Sequence, residues 1–381
     1  MMMRAFSKVE LGNEKYPALT GIRALGASVV FFEHFPVWPQ AHVTLNVMAF
    51  FYVLSGFLIV RIYYEQARLR LRWLAKYFVN RFARIYPLYF LLLSVAVLLR
   101  HDFHAGVLLK NYTLTHALFH GSTPIIQPSW SLTVEECFYF LAPGFMLLAR
   151  RYGFGAPFAA GWLLLLVALG ISTLGFAFLG TPLFVLTTTF FGHFVEFFAG
   201  IYLALAVMRA EKRGALALPG NRRTLLGLAG VALAALASVL VYRHTPLNFY
   251  AVVLVDNFLI PLPIGLLYWG LLRENTGLAR LLAARASGLL GRGSYSFYLL
   301  HGLVIDYVSL PLLLPLCRWR ALCVLLSFAV TWLAAVALFV FFEEPVNLLI
   351  RRRFRSKDRS VGMQATLFQV PQHGPPAHAA P

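Results

Sequence analysis

Ten stretches of this 381-residue chain are about 20 residues long and mostly apolar, at approximately 17–36, 43–63, 83–100, 130–149, 156–179, 184–207, 224–242, 248–271, 293–315 and 321–342. At 1.5 Å of rise per residue, a helix of that length matches the roughly 30 Å hydrocarbon core of a bilayer. Inside lipid every backbone N–H and C=O needs a partner, which a helix supplies within its own segment. The pattern predicts an all-α integral membrane protein of about ten transmembrane helices. Only 13% of residues are charged, against about a quarter in soluble domains.

The net charge of +18 would by itself raise nucleic acid as a partner. The placement of the cations argues for topology instead. Alternate segments (4–15, 61–84, 150–151, 209–223, 273–292 and 351–359) hold 27 of the 33 Lys and Arg. The opposite loops hold Arg100, Lys110, Arg243, Arg318 and Arg320. Cytoplasmic loops carry the positive excess, so both termini are expected in the cytoplasm, at a bacterial inner membrane. No small-residue cleavage site follows a short apolar core, so the first helix is expected to stay as a signal anchor. The three cysteines form no CxxC pair and predict no metal site. Residues 1–353 read as one membrane domain and 354–381, ending PQHGPPAHAAP, as a disordered cytoplasmic tail. With no soluble domain recognised at either end, chemistry is expected in the membrane core. The longest outer loop, about 101–129, lacks an obvious helix pattern and reads as a lid or binding loop.

Ionisable side chains at bilayer depth are costly, so each is a functional candidate. Arg23 and His34 in the first helix are eleven residues apart, about 20° from alignment and roughly 16 Å apart along the axis. They share a face with Gly26, Ala27 and Val30, small enough for close helix approach. Histidine titrates near neutrality and can take a proton from a hydroxyl. It serves equally as an interhelical hydrogen-bonder, and geometry alone does not choose.

The fourth helix opens Pro128-Ser129-Trp130-Ser131-Leu132-Thr133-Val134-Glu135-Glu136. Ser129 or Ser131 can cap it, with Glu135 in the first turn favouring the helix dipole. Glu135 and Tyr139, four apart, equally suit a polar patch on a cavity. In the ninth helix Ser294, Tyr298 and His301 fall on one side, suited to a polar ligand or to gluing helices together. His193 and Glu196, three apart, are positioned to pair, whereas Asp256 has no evident partner in sequence. Arg81 and Arg84 share a face at the inner boundary, where guanidinium forks can bind phosphate or anionic lipid.

Taken together, these segments resemble the acyltransferase-3 family of bacterial membrane acyltransferases. The matching pieces run in the family's order: Arg23-Ala24-Leu25 through His34, Phe51 to Ile59, Arg81 to Tyr89, Ser129 to Tyr139, Gly293 to His301, and Glu343-Glu344-Pro345. The resemblance implies a ten-helix bundle taking an acyl group, usually acetyl, from acyl-CoA to a hydroxyl of a carbohydrate or glycoconjugate, with no metal. By position it implies His34 as the essential histidine, Arg23 as its companion, and Glu135 as the glutamate after the Ser-Trp-Ser-Leu run. It implies Arg81 and Arg84 as the CoA-holding arginines, and Glu343 as the glutamate before the terminal proline. Where the family has a second adjacent arginine this chain has Asn80, with Lys76 one turn earlier.

The expected mechanism has CoA near Arg81 and Arg84, its arm reaching His34 as general base, and Arg23 orienting the donor or stabilising an oxyanion. An acyl-histidine intermediate is the variant. Trp130, Tyr139, Tyr298 and His301 shape the acceptor pocket, with Glu343 among the substrate contacts. The rival reading is a proton-coupled carrier or flippase. Such carriers are often built from repeated halves, and none is visible here.

Overall fold

The computed structural model describes residues 15–35, 44–101, 104–175, 178–214, 217–244, 249–316 and 319–354. Among these, the regular structure is helical, and the only extended pairing is two isolated bridges, Phe119 to Phe178 and Leu218 to Glu274. Nine helical stretches among the described residues are long and apolar enough to cross a membrane. The stretch expected as the first span is also a helix, α1 (Pro17–His34), but it is not among those nine. Its Arg23, Glu33 and His34 make it less apolar than the rest. The tail and most of the polar start lie outside the described residues.

After α1 come α2 (Thr44–Tyr63), α3 (Leu71–Arg100), the short α4 (Ala105–Tyr112), α5 (Trp130–Tyr152) and α6 (Gly155–Thr173). Then follow α7 (Pro182–Thr188), α8 (Phe190–Lys212) and α9 (Arg222–His244). The next span runs from α10 (Phe249–Leu254) through a π turn (Val255–Leu259) into α11 (Pro261–Arg273). The short α12 (Gly277–Leu282) leads to α13 (Arg285–Val304), which continues as a π segment, Ile305–Leu313. The last helix, α14 (Arg320–Leu338), passes into a π turn at Phe339–Glu343.

Two expectations change. α3 starts at Leu71, well before its apolar run. Leu, Arg and Lys are good helix formers, so the basic stretch carries the helix on beyond the bilayer core. The loop expected on the outer side is also more ordered than its sequence implied. Asn111, fully buried, donates to the carbonyls of Val107 (3.0 Å) and Thr123 (3.2 Å) and accepts from the Ile125 amide (2.9 Å). That one side chain ties α4 to the segment ahead of α5.

Helix pairs that position the site meet through small residues, as expected where lipid supplies little hydrophobic drive. Between α2 and α8, a Cβ on Gly56 would lie 2.1 Å from the Phe197 carbonyl oxygen, and one on Gly200 only 1.9 Å from that of Val53. Between α1 and α13, a Cβ on Gly291 would lie 2.0 Å from the Thr20 carbonyl. These approaches bring polar side chains of α1, α2, α3, α5 and α13 into one interior column.

Candidate active site

At the basic end of the column, α3 offers two guanidinium groups from one face. That of Arg81 lies over the rings of Tyr63 (5.7 Å) and Tyr139 (5.5 Å). Arg84 forms an ion pair with Glu343 and lies 5.6 Å from the Tyr295 ring. The other Glu343 oxygen accepts from Ser296 Oγ at 2.6 Å. The π turn before Glu343 sets this carboxylate against α3 and α13. Asn80, standing where the family pattern has arginine, donates to the Tyr63 hydroxyl at 3.2 Å and braces the ring beside Arg81.

One layer further in, Ser55 of α2 donates to Glu135 of α5. Arg23, Ser55, Arg81, Arg84, Glu135, Tyr139 and Tyr295 line a cavity of about 90 Å³. A second cavity of about 60 Å³ shares Arg23, Phe51, Glu135 and Tyr295 with the first and adds Tyr52, Ser131, Ser294 and Tyr298. Three arginines face one carboxylate in the first cavity, an environment suited to an anionic ligand. The Tyr298 and Ser131 hydroxyls are 2.7 Å apart, and both reach the Pro128 carbonyl, at 2.9 and 3.0 Å.

Beyond this layer stand two histidines. His34 gives its Nδ1–H to the Val30 carbonyl at 2.8 Å, one turn back on its own helix. His301 does the same with the Tyr298 carbonyl at 2.6 Å. A carbonyl has no proton to give, so in each neutral ring Nε2 carries the lone pair. The rings stand edge to face with centroids 5.1 Å apart. His301 is fully buried, and its Nε2 has no partner among the described residues.

The expected site residues thus form a column rather than a single cluster. Arg81, Arg84 and Glu343 lie at one end, Arg23, Glu135 and Tyr139 next, then Tyr298, then His301 with His34. Tyr139, expected in the acceptor pocket, lines the first cavity with its ring beneath Arg81. Trp130 lines neither cavity, and its indole packs 5.9 Å from the His193 ring. Neither Ser129 nor Ser131 caps α5 with its side chain, and no acidic residue lies in the first turn. Ser131 bonds to Tyr298 and Pro128, and Ser129 Oγ to His116 Nε2 at 3.2 Å. Glu343 is engaged by Arg84 and Ser296. His193 and Glu196 do pair, at 3.1 Å and fully buried.

Sequence reasoning did not assign Ser55, Tyr295 or Ser296. Ser55 had a signal, as the lone hydroxyl in the apolar run Phe50 to Val60 apart from Tyr52. Tyr295, donating to the Ile85 carbonyl at 2.8 Å, and Ser296 lie off the face that carries Ser294 and Tyr298. Among the described residues no group of three or more His, Cys, Asp or Glu side chains could hold a metal ion.

Comparison with known proteins identifies the family. Residues 16–342 match the model of an acyltransferase domain, a range that takes in the column from Arg23 to His301 and stops one residue short of Glu343. The chain is also 24% identical over 366 residues to the peptidoglycan O-acetyltransferase OatA of Listeria monocytogenes. That match covers 88% of this chain and 56% of the relative, so the chain spans little over half the relative's length. No solved structure matches. The chain is a multi-pass membrane protein belonging to the acyltransferase-3 family.

Proposed function

We propose that the protein is an O-acyltransferase, moving an acyl group (acetyl first) from acyl-CoA to a hydroxyl of a carbohydrate or glycoconjugate. The reading places α1 as a tenth span, both termini in the cytoplasm of a bacterial inner membrane, and the reaction within residues 1–353. Its support is the cation bias of the loops, the family match and the O-acetyl chemistry in the relative's name.

The observation that carries it is His34. With Nδ1–H fixed on the Val30 carbonyl, its Nε2 lone pair is available as a general base in the column. Acyl-CoA enters at the cation-rich end, its phosphates held by Arg81 and Arg84 and its arm passing Arg23 and Glu135. Phe51 and Tyr295, which border both cavities, move aside for the arm. His34 Nε2 takes the acceptor hydroxyl proton as its oxygen attacks the thioester carbonyl. The C–O bond forms, the C–S bond breaks, and the imidazolium returns the proton to the departing thiolate, so no net proton is consumed. Arg23 lies roughly 16 Å along the axis from His34. Orienting the donor is therefore its role, in preference to stabilising an oxyanion. His301 and Tyr298 border the acceptor.

The test is CoA release from acetyl-CoA by purified protein with a panel of sugar acceptors. His34→Ala is expected to lower acceptor-dependent release by about 10²–10⁴-fold while the protein stays folded. Full activity in that variant removes the mechanism. Solute uptake without thioester turnover is instead the signature of a carrier.

A further inference from the structure

The second cavity of the column, about 60 Å³, is bordered by two hydroxyls that make no hydrogen bond of standard geometry among the described residues, Tyr52 Oη of α2 and Ser294 Oγ of α13. Both residues are 1% exposed. An unmatched buried hydroxyl costs about 1–3 kcal/mol, a penalty that a bound ligand relieves. The other hydroxyls bordering the cavity have no proton to spare. Tyr298 and Ser131, 2.7 Å apart, hold two protons between them, one for their mutual bond and one for the Pro128 carbonyl. Tyr295 gives its proton to the Ile85 carbonyl. Glu135 also borders the cavity, but its charge is met by Ser55 and by Arg23, Arg81 and Arg84.

Of the two, Tyr52 is the better placed for the reacting carbonyl. Its ring stacks on Phe197 at 4.8 Å and stands 5.3 Å from the His193 imidazole. His193 is itself fixed at both nitrogens, by Glu196 (3.1 Å) and by the Thr187 carbonyl (3.0 Å). The Tyr52 hydroxyl interacts with Tyr298 and Ser131, which sets it at the Tyr298 layer, and the Tyr298 ring is 5.7 Å from that of His301. Ser294 lies seven residues before His301, roughly 10 Å back along the axis. Gly291 meets Thr20 there, so Ser294 stands near the level of Arg23, too far from the histidines to reach the same atom.

We propose that the Tyr52 hydroxyl is the oxyanion donor of the reaction, hydrogen-bonding the thioester carbonyl oxygen. The assignment rests on the acyl-CoA reading above, whose mechanism leaves that oxygen without a donor once Arg23 is given to orientation. As the acceptor oxygen adds to the carbonyl carbon, the C=O π pair moves onto oxygen and the hydrogen bond from Tyr52 strengthens. When the C–S bond breaks, the pair returns to re-form C=O, and Tyr52 keeps its proton throughout. A clamped hydroxyl in a buried site needs no reorganisation while that charge develops.

Tyr52→Phe removes one oxygen and keeps the ring, and the folded protein gives up no hydrogen bond of its own. Its melting temperature in detergent is expected to match or exceed that of wild type. The first readout is the infrared carbonyl stretch of isotope-labelled acetyl-CoA bound to the full-length protein, because a hydrogen bond to the carbonyl lowers that frequency. The band is expected at lower frequency in wild type than in Tyr52→Phe. The second readout is turnover: kcat for acceptor-dependent CoA release is expected to fall by about 10²–10³-fold, with the KM for acetyl-CoA unchanged. A carbonyl band at the same frequency in wild type and variant overturns the assignment, and so does full kcat in the variant. Absence of any bound carbonyl band in wild type is a different failure: it removes acyl-CoA as the donor, and the assignment falls with it.

Discussion

His34, His301 and His116 show how far one side chain's behaviour depends on what its ring nitrogens face. In the first two, an i−3 or i−4 carbonyl fixes the proton on Nδ1, and the helix aims Nε2 without help from a carboxylate. His116, in the loop between α4 and α5, is buried with Nε2 against Ser129. Burial pushes its pKa down to about 4, with a backbone hydrogen bond opposing. Between its ordinary value near 6.5 and about 4, the unfolded loop binds the proton and the folded loop does not. Stability therefore falls as pH falls through that window, by about 2 kcal/mol between pH 6.5 and 5. Hydrogen-exchange protection factors of residues 104–129, taken relative to the intrinsic rate at each pH, are expected to fall on acidification in wild type and to lose that pH dependence in His116→Gln. Histidine and arginine positions on one helix were legible in the sequence, since Arg23 and His34 follow from helical arithmetic. The role of Ser131 was not, because a hydroxyl at a helix start has the same local signature whether it caps or reaches across to Tyr298.

At the scale of elements, the apolar runs marked where helices cross, because hydrocarbon allows little else. Where helices begin was less legible, as α3 shows by continuing through polar, helix-favouring residues. The glycine seam between α2 and α8 fixes how closely those two helices approach. Gly200→Ala should gain about 1 kcal/mol in helix propensity, yet its new methyl would meet the Val53 carbonyl at 1.9 Å. Overpacking against backbone outweighs propensity, and a net loss of about 2 kcal/mol or more is expected. Gly144→Ala in α5, whose Cβ meets nothing within 4 Å, should melt at or above the wild-type temperature. Thermal melts in detergent compare the two directly. π turns lie at two buried acids, Asp256 and Glu343, and a longer π segment starts at Ile305, one turn after His301. The extra residue in such a turn re-aims a side chain, and no periodicity in the sequence announced it.

Across the whole molecule the column joins distant parts of the chain, and these joins were the least legible feature. Sequence placed Arg84 and Glu343 each in a candidate role but gave no sign that they pair, because pairing across helices depends on packing rather than spacing. The Glu343 side chain is 2% exposed and that of Arg84 22%, so removing the acid leaves a largely buried cation uncompensated. Glu343→Gln alone is expected to cost about 3 kcal/mol. The double variant with Arg84→Met should cost less than the sum of the singles, with a coupling of about 1–3 kcal/mol. A thermodynamic cycle measured by detergent unfolding checks this, and strict additivity would mean that the pair contributes nothing.

That pairing also bears on the order in which the protein is made. A ribosome delivers α3 to the membrane long before the turn that carries Glu343, and in the interval Arg84 lacks its ion-pair partner. The layer at the basic end of the column can close only when the final helix arrives and docks. A nascent chain halted before α14 therefore holds most of the bundle but lacks the carboxylate that faces Arg84.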